Sequence, residues 1–159
     1  MAKRSKPSAP HSTTDSARTL FDEFAVELRD TAAGMGVFSV RAHPAGGVIG
    51  EIHGDVIDDP DYDSPHCMYI WDNIVMEPHA PFRFLNHSCD PNCEYDWPEE
   101  PENGGEQQVL LITFRDIDAG EQLTIDYHWP ASAAIRCLCN SPNCRGWVVC
   151  EDELDELIW

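Results

Sequence analysis

From Phe21 onward the chain alternates short apolar stretches with Gly, Pro and Asp, a rhythm of strands and turns rather than helices. Phe24, Val26 and Leu28 alternate with Ala25, Glu27 and Arg29, the period of two that turns one strand face toward a core. Val37–Val40 and Val48–Ile52 read as further strands, each preceded by closely spaced glycines, and Met68–Trp71 as another short one. Val109–Phe114 is almost wholly apolar between polar neighbours, which predicts a strand buried on both faces. Leu123, Ile125 and Tyr127 alternate with Thr124 and Asp126 to give one more. Between Cys93 and Val109 the run EYDWPEEPENGGEQQ reads as a polar loop, and the terminal EDELDELIW as a short helix with Leu154, Leu157 and Ile158 on one side. No internal repeat interrupts this pattern. The expectation is a small, mostly β domain with little helix.

Ser, Thr, Pro and charge dominate residues 1–20, which lack periodicity and read as a flexible tail. The remaining expected divisions are a main domain over 21–130, a cysteine-rich segment over 131–150 and an acidic extension over 151–159. At 159 residues and 42% hydrophobic the chain can bury a core but has no room for two ordinary domains. No apolar run approaches the roughly 20 residues that span a bilayer, and no apolar stretch follows the basic N-terminus. These features predict an intracellular protein, cytoplasmic in a prokaryote and nuclear or cytoplasmic in a eukaryote.

Charge changes the picture. The tail carries Lys3, Arg4, Lys6 and Arg18 against Asp15, a balance of +3. Residues 21–159 carry six arginines, no lysine and 28 acids, a balance of −22 within the overall −19. A body so acidic repels phosphate backbones and attracts basic peptides, which argues against direct binding of nucleic acid. Solubility or adaptation to high salt accounts for the same acidity. Seven cysteines, an odd number without an export signal, argue against a closed disulfide framework. Three lie together as Cys137-x-Cys139-x4-Cys144, close enough to ligate one metal, with Pro142 and Asn143 favouring the turn between the last two. Structural zinc takes four ligands; Cys89 is the best supplier of the fourth, with Cys93, Cys150 and Cys67 as alternatives.

Three segments in order resemble the SET-domain protein-lysine methyltransferase family: Gly34-Met35-Gly36-Val37-Phe38; Arg83-Phe84-Leu85-Asn86-His87-Ser88-Cys89-Asp90-Pro91-Asn92; and Ile117-Asp118-Ala119-Gly120-Glu121-Gln122-Leu123-Thr124-Ile125-Asp126-Tyr127. Cys137-x-Cys139-x4-Cys144-Arg145-Gly146-Trp147 is similar to the post-SET segment that follows in many members. The resemblance implies short twisted sheets around a knot-like core formed by the Asn86–Asn92 segment and the Tyr127 strand. It implies S-adenosylmethionine as cofactor, Tyr127 as the catalytic residue, and a cofactor site of Gly34, Met35, Gly36, Tyr69, Arg83, Asn86, His87 and Trp147. It also implies one structural zinc on Cys89, Cys137, Cys139 and Cys144, and a basic protein substrate such as a histone or ribosomal tail, with no direct nucleic acid and no membrane partner.

Two departures bear on activity. Ile52 stands where many members carry a tyrosine near the lysine channel, and Ile125 where many carry an aromatic that limits room for further methyl groups. The stretch from Ile57 to Tyr69 is short for the family, so the partner surface is either minimal or completed by a second subunit in a homodimer. The alternative expectation is a catalytically weak SET-fold module that grips a basic partner. Lys3 and Lys6, the chain's only lysines, are themselves candidates for automethylation or for a pseudosubstrate role.

Overall fold

The computed structural model describes residues 19–71, 74–97 and 108–157. The strands, in chain order, are β1 Thr19–Phe21, β2 Val26–Thr31, β3 Gly34–Ser39, β4 Val48–Glu51, β5 Gly54–Asp58, β6 Met68–Trp71, β7 Ile74–Pro78, β8 Asn86–His87, β9 Cys93–Asp96, β10 Leu110–Thr113, β11 Gln122–Ile125, β12 Ile135–Arg136 and β13 Trp147–Val148. Single 3-10 turns cover Phe82–Phe84 and Ala131–Ala133, and a longer one Glu151–Leu157. The expected mostly β architecture is present, and Lys3 and Lys6 lie outside the described residues. Thr19 and Leu20, the last two residues of the segment expected as tail, belong to β1.

Three sheets and a ribbon carry the fold. The largest has the order β1-β2-β3-β11-β8; β4-β10-β9 and β5-β7-β6 are three-stranded, and β12 pairs with β13. The β2–β3 hairpin follows the alternation of the sequence, burying Val26, Leu28 and Val37. Glu27, expected to face water, is also buried; Arg29 pairs with it and lays its guanidinium 4.7 Å from the Phe38 ring, so the acid keeps a partner. Phe24 is not in a strand. Left-handed Ala25 (φ 51°) separates it from β2, and its ring packs on Phe82 at 4.8 Å.

β10 differs from the expectation of burial on both faces. It is central in its sheet, but Leu111 and Thr113 are buried while Leu110 and Ile112 are half-buried and Phe114 is 52% exposed. Only one face of this three-stranded sheet meets the core. The segment after Cys93, expected as loop, continues as β9 through Asp96 because Tyr95 pairs with Leu111 on β10; residues 98–107 are outside the description.

Candidate active site

The site is built where the chain from Asn86 to Asn92 crosses β11. β8 runs parallel to β11, with Asn86 opposite Thr124 and His87 opposite Ile125. Ser88 N–H donates to the Ile125 carbonyl at 2.9 Å, extending the ladder by one bond. Four residues further on, the Asn92 side chain closes the crossing. Its Nδ2 donates to the Gln122 carbonyl at 2.8 Å and to Glu121 Oε1 at 3.2 Å, and its Oδ1 accepts from Thr124 N–H at 2.8 Å. At 2% exposure Asn92 has no water to replace these partners.

Tyr127 emerges two residues beyond β11 and is fixed at both ends. Its N–H donates to His87 Nδ1 at 3.2 Å, and its hydroxyl donates to the Leu85 carbonyl at 2.7 Å. Its ring lies 5.4 Å from that of His87 and 5.3 Å from that of Trp129. Burial pushes the Tyr127 hydroxyl up to about 12, so it stays protonated at physiological pH. Burial also holds the His87 imidazole below its ordinary value, against the opposing pull of Asp126. A neutral ring that accepts at Nδ1 carries its proton on Nε2, which faces Cys89 Sγ at 3.3 Å. The 3.5 Å approach of Asp126 to Nδ1 is therefore not an ion pair.

Asp126 has a stronger partner. Arg145 reaches it with two guanidinium nitrogens, at 2.7 and 2.9 Å, and the side chains are 13% and 10% exposed. Against the burial that would raise it, the Arg145 pair and the His128 amide hold the Asp126 carboxyl below the usual carboxylate range.

On the same crossing, Asn86 Nδ2 donates to the Met35 carbonyl at 3.1 Å, joining β8 to the Gly34–Gly36 turn. Gly36 has no room for a side chain: a Cβ would sit 2.7 Å from Gln122 Nε2, 2.8 Å from Thr31 Cγ2 and 3.0 Å from Asn86 Nδ2. Met35 stays 38% exposed beside it.

Tyr127 also lines a cavity of about 830 Å³, walled by Tyr95, Trp97, Trp129, Leu85 and Ile125 with Glu94 and Asp63 among its polar groups. Arg83 and Tyr69 also line it. Arg83 lies 3.4 Å from Glu77 and 5.7 Å from the Phe84 ring centroid. Tyr69 is 73% exposed and stands in the cavity wall rather than in the core. Ile52 is 2% exposed in the hydrophobic core and is not among the lining residues, whereas Ile125 is.

Cys89, Cys137, Cys139 and Cys144 bring four sulfurs within 4.8 Å of one another. Sulfurs on a tetrahedron around zinc, with bonds of about 2.3 Å, stand about 3.8 Å apart. Cys89 Sγ and Cys137 Sγ are 3.7 Å apart, so the cluster fits one tetrahedral ion. The amides of Cys139 and Gly146 donate to Cys137 Sγ and Cys144 Sγ at 3.4 and 3.3 Å, the outer support that thiolate ligands use. Cys67, Cys93 and Cys150 are outside the cluster. Gly146, in the left-handed region (φ 79°), turns the chain so that its carbonyl accepts from Cys137 N–H at 3.1 Å. Trp147 follows in β13, its ring 4.0 Å from the Arg136 guanidinium carbon.

The expected site residues thus fall into three neighbouring groups around the crossing. Gly34, Met35, Gly36, Asn86 and His87 lie along β3 and β8; Tyr69, Arg83 and Tyr127 face the cavity; and Trp147 stands with the cysteines. Asn92, Arg145 and the pairing of Asp126 carried no assigned role in the sequence. All three stand inside the segments that carry the resemblance, but nothing in the sequence marks any of them for a part in the site on its own account.

The sequence profile of the SET domain matches residues 34–128. Histone-lysine N-methyltransferase Set2 of Drosophila melanogaster is 30% identical over 147 residues, covering 81% of this chain and 6% of that protein. Histone-lysine N-methyltransferase ASHR3 of Arabidopsis thaliana is 44% identical over 68 residues, covering 42% of this chain and 13% of that one. The chain therefore spans only a small part of the length of these relatives. In fold it is similar to KRYPTONITE in a crystal structure with mCHH DNA, H3(1-15) peptide and SAH, at a TM-score of 0.67 and 23% identity over 76% of this chain and 29% of that chain. With the profile running from the Gly34 turn to the residue after Tyr127, well over half of its length, the chain belongs to the SET domain family.

Proposed function

We propose that the chain is an S-adenosylmethionine-dependent protein-lysine N-methyltransferase acting on a basic, histone-like peptide. One observation carries this reading. Tyr127 presents a protonated hydroxyl, fixed on the Leu85 carbonyl, to an aromatic cavity at the crossing that also holds Asn86 and His87. The relatives named above are histone-lysine N-methyltransferases, and the KRYPTONITE structure contains an H3 peptide and SAH, which supports the same chemistry and substrate class here.

When bound, S-adenosylmethionine supplies a methyl group on a positively charged sulfur. Gly34, Met35, Gly36, Asn86 and His87 would hold it, with Arg83, Tyr69 and Trp147 at its margins. Gly36 lets β3 pack closely against Asn86, Thr31 and Gln122, and Met35 is exposed beside it. The substrate amine, with a reference pKa near 10.4, must be neutral to attack. The walls of Tyr95, Trp97 and Trp129 strip water from it and disfavour its cationic form, while Glu94 and Asp63 attract the incoming basic chain. Burial keeps the Tyr127 hydroxyl protonated, so it acts as a neutral phenol rather than as the base. It aligns the amine instead, and its dipole steadies the charge that develops on nitrogen.

Cys89, Cys137, Cys139 and Cys144 would hold one structural zinc. Since Cys89 is two residues from His87, the metal would tie the C-terminal segment to the crossing. Ile52 lies in the core rather than on the cavity, so the loss of aromatic bulk there leaves the Tyr127 wall intact. The test is transfer of tritiated methyl from S-adenosylmethionine to a panel of histones and basic peptides, with mass spectrometry locating the modified side chain. Label on lysine supports the reading. Cofactor binding without label on any basic substrate would overturn it.

A further inference from the structure

We propose that Arg145 is a positioning residue that couples the cysteine segment to Tyr127. The inference rests on the reading of Tyr127 as the catalytic residue. Arg145 directly follows Cys144, one of the clustered cysteines, and its guanidinium forks onto Asp126, directly before Tyr127. Asp126 Oδ1 also accepts the His128 N–H at 3.1 Å, and His128 holds the left-handed region at φ 50°. One carboxylate therefore fixes the turn that follows Tyr127 while a cation from the cysteine segment fixes that carboxylate. His87 fixes the other side, accepting the Tyr127 N–H.

Among the described residues the Arg145 guanidinium donates only to Asp126, and its Nε is buried without a partner. The pair is worth its desolvation only with both members in place; removing one leaves a buried, uncompensated charge. The fork matters as well as the charge, because two parallel bonds define an angle that a single ammonium contact does not. Tyr127 is thus set in orientation when the cysteine segment is folded against β11, and released when it is not.

The test uses the full chain loaded with one equivalent of zinc, as wild type, Arg145→Gln, Arg145→Lys, Asp126→Asn and the Asp126→Asn/Arg145→Gln double variant. The first readout needs no cofactor: amide hydrogen exchange at Tyr127, His128 and Ser88, followed by NMR. In Arg145→Gln the Tyr127 and His128 amides should exchange about tenfold faster or more, while the Ser88 amide, bonded to Ile125 within the ladder, stays protected. The second readout is kinetic. The kcat should fall about tenfold with KM for the cofactor within about twofold, Arg145→Lys should recover part of the loss, and the double variant should be no slower than the slower single one.

Unchanged exchange at Tyr127 and His128, or losses that multiply in the double variant, would overturn the coupling. So would loss of zinc together with Ser88 protection, which would mark a general structural role. Should Arg145→Gln fail to fold, Arg145→Lys decides: wild-type exchange and kcat in that variant would refute the fork. A wild-type chain that shows the amide effect in its variants but transfers no methyl group would refute the methyltransferase reading alone.

Discussion

Replacing Asn92 by alanine should destabilise the protein by about 3 kcal/mol. The side chain makes hydrogen bonds of 2.8, 2.8 and 3.2 Å across the crossing, with a longer fourth from the Thr124 hydroxyl at 3.4 Å, and is 2% exposed, so water cannot substitute in a variant that keeps the backbone in place. Each such bond contributes about 1 kcal/mol net, and an orphaned Thr124 amide or Gln122 carbonyl adds to the loss. Against a total stability of about 5–15 kcal/mol this is a large fraction. With a urea slope of about 2 kcal/mol/M, the unfolding midpoint should fall by about 1.5 M at fixed zinc and reductant. Asn92→Asp sharpens the test, since it keeps the acceptor for Thr124 but loses both donor bonds and sets a charge beside Glu121. It should be at least as unstable as the alanine variant. A midpoint shift below about 0.3 M in either variant would refute the claim that this side chain holds the crossing together.

Cys139→Ser should lose zinc by elemental analysis and lose activity, while far-UV circular dichroism keeps the β signature, since the cluster is peripheral to the core around Val37 and Leu123. Gly36→Ala should weaken S-adenosylmethionine binding about tenfold or more by calorimetry, because its Cβ would push on Asn86 Nδ2, Thr31 and Gln122. The pH profile of kcat/KM should rise as the substrate amine loses its proton. With Tyr127 neutral until about 12, no falling limb should come from its ionisation below about pH 10; a tyrosine-dependent fall near pH 8 would contradict the buried, protonated phenol.

Local periodicity showed those parts of the fold that local periodicity decides. β2 and β11 overlap the two alternating segments, β3 overlaps the run expected over Val37–Val40, and β6 matches its expected bounds. β5 went unread because it is exposed or half-buried along its length and its sequence carries no alternation. The β8–β11 contact is two residues long and joins positions far apart in the chain, so only the resemblance implied it. For the metal cluster, spacing singled out three cysteines and left four candidates for the last; the fold selects Cys89 because β8 delivers it beside Cys137. Arg145 and Asp126 were invisible as a pair, one arginine and one acid in a body of six arginines and 28 acids. Burial distinguishes them, and burial is a property of the folded chain.

The most direct test of the central claim is single-turnover methyl transfer to a lysine-containing histone peptide, comparing wild type with Tyr127→Phe while calorimetry follows S-adenosylmethionine affinity in both. The phenylalanine variant loses only the hydroxyl bonded to Leu85, and Asn86, His87 and the Gly36 turn are untouched. The rate should fall about a hundredfold or more with cofactor affinity within about twofold, the mark of an interaction made in the transition state. A wild-type rate in Tyr127→Phe would contradict the account.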